Sequence, residues 1–384
     1  MSVLRYTLEE PLSESAVEYI DDTLRRSYAT DNVEISDSAI EVGTDGTTSA
    51  ERFTEVVGNL IYVSRSLNRK VLYESAERHA YSDDPMKPLL ESRDVIRTAD
   101  GMFSFQGQFW QVLKALKQHV FEISERHAAI EQEYPVLWPV DLYKRINYFR
   151  EFPQQIIMAS PLEGDFSKRD KFADKYDKGA TYDSVSMQDG FAPATYGLQC
   201  AVCDTCYYNL RGTSEHPNTT YTTYNKVFRN ETSSTGSLDR LLTFSVRDIM
   251  FVGDQDYVLL MRQKMLDEAT ELLAALGIES RIETANDPFF SNDSVVKNLF
   301  QNSSSLKYEL VARVNYQDKF IAVGSVNLHL DFFGQAFAIT GKDKQPAYSG
   351  CLGIGFERLA FVLYAQYGPN INEWPASVRT LLGL

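Results

Sequence analysis

Short runs in which polar and apolar residues alternate fill the second half of the chain, and they constrain the fold more than any other feature. In GSVNLHLDFFG (324–334) the apolar positions Val326, Leu328 and Leu330 alternate with four polar ones, Ser325, Asn327, His329 and Asp331. Successive side chains of a strand point to opposite faces, so the polar residues share one face. Strands that follow one another with few intervening helices predict an α+β fold, with helices packed on an antiparallel sheet.

The remaining strands and helices follow from the same reading of periodicity. The pattern predicts strands over residues 222–230, 243–252, 308–314 and 320–330. It predicts long helices over residues 109–131, 256–276 and 355–367, each with apolar residues at helical spacing.

The chain divides into two regions. Residues 1–97 read as an N-terminal α/β region of unknown role, with helices over 13–26 and 49–67, and they carry no recognisable chemistry. Residues 98–384 form a second domain that contains the sheet and all the candidate functional residues.

Charged side chains interrupt two of the predicted strands. In VFRNE, Arg229 and Glu231 are two residues apart and therefore share a face, and LLTFSVRDIMFVG places Arg247 and Asp248 among apolar residues. A solvated sheet face explains any one such strand. These two strands and GSVNLHLDFFG together favour a polar cleft lined by the sheet, because a buried charge needs a partner or a ligand.

A glycine-rich segment precedes the last long helix. In GCLGIGFERLAF (350–361), Gly353 and Gly355 allow the backbone to approach a ligand closely, and Arg358 follows in the first helical turn. An arginine there can offer a planar fork of donors to phosphates. Taken alone, this pattern is weak.

Cysteine usage and charge narrow the class of protein. Cys200, Cys203 and Cys206 are bunched and Cys351 is distant, which suggests a metal or catalytic role in a reducing compartment rather than disulfides. The net charge of −15 disfavours a grip on long nucleic acid. The N-terminus resembles no secretory signal and no long apolar run is present, so we expect a cytoplasmic protein outside the membrane.

In combination, these segments resemble the class II aminoacyl-tRNA synthetases. VFRNE is similar to their motif 2 (FRxE), GIGFER is similar to motif 3 (GxGxxR), and the proline-rich EYPVLWPV lies where the dimer-forming motif 1 belongs. Order and spacing agree, and the resemblance covers about Gly101 to the C-terminus. It implies a class II antiparallel sheet flanked by helices.

Within that class, the chain looks most similar to the truncated, seryl-tRNA-synthetase-like amino acid:carrier protein ligases. The segments that carry this narrower likeness are VLWPVDLYKRINYFREFP, RLLTFSVRDIMFVG, NDPFF, SVNLHLDFFG and YSGCLGIGFERLAF. The resemblance implies a homodimer that activates a small amino acid with ATP and loads it onto the phosphopantetheine thiol of an acyl or peptidyl carrier protein. It implies no tRNA partner.

The resemblance also implies residue roles. Arg229 would bind the α-phosphate of ATP, Glu231 the adenine or the substrate amine, and Arg358 the γ-phosphate. Magnesium would bridge the phosphates, with Asn327 and nearby acids as ligands. The wider set of ATP- and substrate-binding candidates is Arg240, Arg247, Ser325, Asn327, His329, Asp331, Gly353 and Gly355.

A zinc ion in the substrate pocket is a further implication of the resemblance. Cys203, Asp248 and Cys351 occupy the places of the family's ligands, and a fourth tetrahedral position would be left for the substrate amine. Asp248 stands where the family pattern has glutamate, which allows a weaker or altered site. Cys206 is an alternative ligand, whereas Cys200 reads as a buried core thiol.

Two other interpretations stay open at this point. One keeps the adenylation chemistry but transfers the amino acid to tRNA or to a small amine. The other is a non-catalytic paralogue that binds a partner, which the presence of Arg229, Glu231 and Arg358 disfavours. The identities of the amino acid and of the acceptor are not predicted.

Overall fold

A computed structural model gives the architecture of the chain. It describes residues 2–28, 30, 32–44, 46, 48–66, 70–176, 190–230, 236–285 and 305–384. Glu231 and the NDPFF segment (286–290), both used in the sequence interpretation, lie outside the described residues.

The N-terminal residues form a small α/β unit. Its elements are β1 (Ser2–Thr7), α1 (Glu14–Tyr28), β2 (Val33–Ile35), β3 (Ala39–Thr44) and α2 (Ala50–Ser66). The three strands form an antiparallel sheet in the order β1-β3-β2. Ile20, Leu24, Ile40, Val42 and Phe53 lie in a core between this sheet and the two helices, so the unit has its own hydrophobic centre.

An eight-stranded sheet dominates the rest of the molecule. Its strands are β4 (Val71–Glu74), β7 (Ile130–Glu131), β11 (Thr219–Phe228), β12 (Thr243–Gly253), β13 (Ser280–Thr284), β14 (Lys307–Val314), β15 (Lys319–Leu330) and β16 (Tyr348–Gly355). Their order is β4-β13-β14-β15-β16-β12-β11-β7, and every pairing except that of β11 with β7 is antiparallel. The α+β prediction with an antiparallel sheet is therefore confirmed.

Helices cover one face of this sheet. The helices that pack there or extend that layer are α3 (Met86–Glu91), α4 (Gly107–Arg126), α9 (Gln255–Ala275), α11 (Phe356–Tyr367) and α12 (Ala376–Leu382). Two short strands, β5 (Val95–Ala99) and β6 (Met102–Phe105), form a hairpin next to α4. We call this side of the sheet the helix face.

A second, smaller core lies on the opposite side of the sheet. The elements in this part of the molecule are β8 (Leu137–Pro139), α5 (Val140–Arg145), α6 (Tyr148–Glu151), β9 (Met158–Ala159), α7 (Phe166–Lys175), β10 (Tyr196–Leu198), α8 (Cys203–Asn209) and α10 (Phe332–Phe337). Of these, β9 and α7 contribute no buried residue to the core. Alternation along β12 separates the two cores, because Ile249 and Phe251 join the first and Met250 and Val252 the second. We call this second side the polar face, because Asp248 of β12 lies on it.

The predicted elements match the observed ones closely where the periodicity is strong. The strand predicted over 243–252 spans Thr243–Gly253, and the helix predicted over 256–276 spans Gln255–Ala275. The region boundary was predicted at residue 97, yet β4 already pairs with β13 of the large sheet. Within the described residues, no helix has the length and apolarity needed to cross a membrane.

Candidate active site

The two neighbours Arg247 and Asp248 lie on opposite faces of β12, as strand geometry requires. Asp248 is directly opposite Thr223 on β11 and Gly353 on β16, and Gly353 is in turn opposite Ser325 on β15. Residues directly opposite one another across a sheet share a face. Asp248 on β12 and Ser325 on β15, two of the predicted polar positions, therefore meet on one surface, the polar face.

A cluster of thiols and carboxylates occupies the centre of the polar face. We call it the thiol–carboxylate cluster, and its members are Cys203, Asp204, Asp248, Asn327, His329 and Cys351. The Cys203 backbone N–H donates to Asp248 Oδ2 at 3.0 Å, which ties the first turn of α8 to β12. Cys351 Sγ lies 3.5 Å from Asn327 Nδ2 and 3.8 Å from His329 Nε2.

The two thiols of the cluster are hydrogen-bonded to each other. A hydrogen bond from Cys203 holds the pKa of the Cys351 thiol well below its usual range, and His329 and Asn327 act in the same direction. The same hydrogen bond, together with burial, raises the pKa of Cys203. Cys351 is therefore the more acidic thiol of the pair, and the thiolate is the form that binds metals.

The two carboxylates of the cluster are buried, and no Lys or Arg of the described residues forms an ion pair with them. Asp204 and Asp248 are each 6% exposed, and in the described part of the chain no Lys or Arg nitrogen reaches ion-pair distance of either. Burial raises the pKa of Asp204 to about 7, against the opposing charges of His329 and, more weakly, Arg229. Burial also raises the pKa of Asp248 well above its usual value. Such carboxylates are suited to bind a cationic group.

Gly353 leaves room for the Asp248 carboxylate. A Cβ at position 353 would lie 2.5 Å from Asp248 Oδ1, a distance that real Cβ atoms essentially never show. The glycine of the sequence motif thus allows the carboxylate of the neighbouring strand to sit against the backbone of β16.

The two candidate phosphate-binding arginines lie at the ends of their elements. Arg229 follows β11, and its Nε donates to the carbonyl oxygen of Cys200 at 3.1 Å. Arg358 lies in the first turn of α11, where Nη1 donates to the carbonyl oxygen of Ala322 at 3.3 Å. Both side chains are half-buried, so each guanidinium is anchored on one side and still accessible.

The structure does not bring every predicted residue to the polar face. Arg247 points to the helix face, where it donates to Glu131 Oε1 and to Thr222 Oγ1 and stacks on the ring of Phe121. Asp331 lies beyond the end of β15, where it precedes α10 and accepts from Gln335. The period of two along each strand gives the physical reason for Arg247. Of the binding candidates, Ser325, Asn327 and His329 do share the polar face, Gly355 ends β16, and Arg240 lies in the turn before β12.

Cys200 and Cys206 take no part in the cluster. Cys200 is fully buried, with its Sγ near the carbonyl oxygens of Gln155 and Leu198. Burial raises the pKa of Cys206 to about 12, and its side chain belongs to the second core. Both behave as small apolar residues.

Sequence reasoning missed two residues of this surface. Asp204 was signalled only by its place within CAVCDTC, where an acid follows a candidate thiol. Thr223 carried no signal, since threonine is common in strands. Its Oγ1 is fully buried without a hydrogen-bond partner, and Thr223 lies directly opposite Asp248.

The predicted zinc ligands are adjacent, but they do not form a ligand set as they stand. Among the described residues, no group of three His, Cys, Asp or Glu side chains is arranged so that it could hold a metal ion. The Asp248 carboxylate is instead held by the Cys203 N–H and lies against Gly353. The shorter aspartate side chain gives a physical reason for this arrangement.

Comparison with known proteins places this geometry in context. Its fold is that of the class II seryl-tRNA synthetases. The structure of the Methanopyrus kandleri enzyme in complex with an Aquifex aeolicus tRNASec superposes with a TM-score of 0.73, covering 98% of this chain and 76% of that chain, at 17% identity. No family model matches the sequence.

Sequence relatives agree with the class II fold. An amino acid–[acyl-carrier-protein] ligase of Bradyrhizobium diazoefficiens is 26% identical over 320 residues, which cover 83% of this chain and 93% of the relative. A type-2 serine–tRNA ligase of Methanococcus maripaludis is 24% identical over 65% of this chain, which spans about half of that relative's length. The resemblance read from the motifs is confirmed.

Proposed function

We propose that the chain is an AMP-forming ligase that activates a small amino acid with ATP and transfers it to the phosphopantetheine thiol of a carrier protein. The observation that carries this proposal is the similarity to an amino acid–[acyl-carrier-protein] ligase over 93% of that relative's length. The relative matches nearly end to end, whereas the type-2 serine–tRNA ligase contains about as much chain again.

In the first step, a carboxylate oxygen of the amino acid attacks the α-phosphorus of ATP, and the bond to pyrophosphate breaks. Arg229 and Arg358 would match the negative charge that spreads over the phosphates in the transition state, each held in advance by a backbone carbonyl. Magnesium, when bound, would neutralise further charge. Asn327 would help to hold such a cation through its carbonyl oxygen, because its amide nitrogen already donates to Ser325 Oγ and Cys351 Sγ.

In the second step, the carrier thiolate attacks the carbonyl carbon of the aminoacyl-adenylate, and AMP leaves with the bonding electron pair. The partner supplies this nucleophile, so the chain needs no nucleophile of its own. Asp204 and Asp248 would hold the ammonium group of the amino acid, because each is a buried carboxylate with which no Lys or Arg of the described segments pairs.

Zinc is a separate part of the proposal. Its support is the donor set of Cys203, Cys351 and His329, with two buried thiols in contact and an imidazole nitrogen 3.8 Å from one of them. Neither reaction step as proposed requires zinc, since the described residues do not already form its ligand cage.

Charge supports a protein acceptor rather than tRNA. Residues 1–66 contain 13 Asp or Glu and 5 Lys or Arg, and the whole chain carries a net charge of −15. A tRNA would meet repulsion over the N-terminal unit, because phosphate neutralisation drives nucleic-acid binding. The four free cysteines fit a reducing compartment, and the cytoplasm is part of the proposal.

A homodimer is proposed from the apolar surface near the motif 1 segment. Large apolar side chains remain exposed there on neighbouring elements, namely Ile130, Leu137, Phe149, Met158 and Tyr196. Clustered exposed apolar residues mark interaction surfaces in soluble proteins.

The decisive experiment is ATP–pyrophosphate exchange across the twenty common amino acids, without tRNA and with zinc and magnesium present. We expect a signal for one or a few small amino acids, and then AMP release that depends on a carrier protein bearing the phosphopantetheine arm. The matched control is the same carrier protein without the arm. Exchange without any carrier-dependent transfer, but with aminoacylation of tRNA, would refute the proposed acceptor.

A further inference from the structure

Glu357 is a buried acid at the centre of a hydrogen-bond network that links α11 to β11 and β12. It lies in the first turn of α11 with 1% of its surface exposed. Its Oε2 accepts from the Ser245 N–H at 2.7 Å, and its Oε1 accepts from Ser245 Oγ at 2.8 Å and from Lys226 Nζ at 3.0 Å. Tyr224 extends the network, since its hydroxyl lies 3.1 Å from Ser245 Oγ.

Three charge-assisted hydrogen bonds offset the cost of burying this carboxylate. An ionised acid without such donors costs several kcal/mol in a protein interior. Two donors come from one residue of β12, and the third is an ammonium from β11. The position at a helix N-terminus adds a favourable interaction with the helix dipole. A network this complete holds its members in one arrangement.

The network joins the two elements that carry the phosphate-binding arginines. Glu357 directly precedes Arg358. Lys226 is on β11, three residues before Arg229, which follows that strand. Lys226 and Ser245 are paired in the register of β11 and β12. A rotation or shift of α11 that moved Arg358 would therefore break hydrogen bonds to both strands.

We propose that Glu357 is a positioning residue for ATP, which fixes the start of α11 against β11 and β12 so that Arg358 and Arg229 meet one triphosphate. This inference rests on the proposed function. Glu357 is not proposed to touch the substrate, because its oxygens are occupied by Ser245 and Lys226 and it belongs to the buried set.

The first test is Glu357→Gln. Glutamine keeps the size of the side chain and can still accept from the Ser245 N–H, but its amide nitrogen then faces the Lys226 ammonium as donor against donor. We expect kcat in pyrophosphate exchange to fall roughly tenfold or more and KM for ATP to rise, since small misplacements of catalytic groups cost up to about 10²-fold. KM for the amino acid should not change, because the thiol–carboxylate cluster is on the other face.

Glu268→Gln is the matched control. Glu268 on α9 is also a largely buried acid with charged donors, since it accepts from Arg126 and lies 2.8 Å from His127 Nε2. Its network joins helices and contains neither arginine of the site. Both variants should lower Tm, but only Glu357→Gln should change kcat and KM for ATP.

Substitutions of Lys226 test whether Glu357 and Lys226 act together in positioning ATP. Lys226→Met should reduce kcat/KM for ATP in the same direction as Glu357→Gln, and Lys226→Arg should restore most of it because the positive charge returns. The double variant Glu357→Gln/Lys226→Met should be no worse than Glu357→Gln alone, as expected for residues in one network.

ATP binding measured by calorimetry separates this inference from the proposed function. If wild type binds ATP but shows no exchange, the ligase proposal fails, while weaker ATP binding by Glu357→Gln still supports the positioning role. If Glu357→Gln lowers Tm and leaves ATP binding, KM and kcat at wild-type values, the role is structural only and the inference is wrong. If wild type binds no ATP, both fail.

Discussion

The two faces of the large sheet differ in the partners of their buried charged groups. On the helix face, Arg247 is paired with Glu131, and Glu357 is bonded to Lys226 and Ser245. On the polar face, Asp204 and Asp248 are equally buried, yet no Lys or Arg in the described residues pairs with them. The charged groups on the helix face have partners of opposite charge, whereas none is described for the two carboxylates of the polar face, which we expect to bind a ligand.

This difference separates stabilising from functional charges better than burial does. Arg247, Glu357, Asp204 and Asp248 are all less than a tenth exposed. Substitution on the helix face should affect mainly folding, or the placement of other groups. Substitution on the polar face and at its edge should affect mainly substrate binding and turnover.

The largest effect is expected at the edge of the polar face, for Arg358→Ala and Arg229→Ala. Each removes a cation that would stabilise charge on the transferring phosphate, an effect worth about 10²–10³ in kcat for comparable donors. Pyrophosphate exchange measures the loss, and circular dichroism shows that the fold is retained. Exchange at the wild-type rate in either variant would break the assignment of both motifs.

A smaller effect is expected for Cys351→Ser in the thiol–carboxylate cluster. The variant loses the more acidic thiol of the Cys203–Cys351 pair, so bound zinc should fall well below the wild-type content and KM for the amino acid should rise roughly tenfold or more. Metal analysis and exchange kinetics measure the two quantities. Cys206→Ser is the matched control, because Cys206 is equally buried but its thiol is hydrogen-bonded to Tyr134.

The result for zinc discriminates between two ways of holding the substrate amine. Zinc that is lost in Cys351→Ser and kept in Cys206→Ser would identify the cluster as the metal site. Wild-type protein without zinc that still performs exchange would instead leave Asp204 and Asp248 to bind the amine.

Strand periodicity made most of the polar face predictable from the sequence. Alternation in GSVNLHLDFFG placed Ser325, Asn327 and His329 together, and the structure has all three on β15. The same rule shows that adjacent residues such as Arg247 and Asp248 cannot both face one cleft, a signal that the prediction did not use.

The pairing of strands that are distant in the chain could not be predicted from local sequence patterns. The helix predicted over 109–131 ends at Arg126, because residues 130–131 leave it to pair with β11 as a parallel strand. That pairing brings Glu131 to Arg247. The order that inserts β16 between β15 and β12 creates both the thiol pair and the Glu357 network, and no local pattern encodes it.

A still smaller effect on activity is expected on the helix face, for Arg247→Met. Methionine can fill the same space against Phe121, and replacement of a buried ion pair partner by an apolar side chain ranges from neutral to destabilising. Glu131 is more than half exposed, so it keeps its solvation when the arginine is lost. We expect a change of about 1–2 kcal/mol in the free energy of unfolding and little change in exchange. A large loss of exchange would contradict the division between the faces.

The smallest effect concerns pH and His216, a buried residue whose Nε2 lies 3.1 Å from the Tyr221 hydroxyl at the polar face. Burial lowers the pKa of His216, so the unfolded chain binds its proton more readily than the folded protein does. Its contribution to stability is therefore present above the unfolded pKa of about 6.5 and is lost as the pH falls through that value. In His216→Gln this part of the pH dependence should disappear, which urea unfolding between roughly pH 8 and pH 5 would measure. An identical slope in both proteins would mean that His216 is as easily protonated in the fold as in water, and that the polar face is less sealed than its buried carboxylates require.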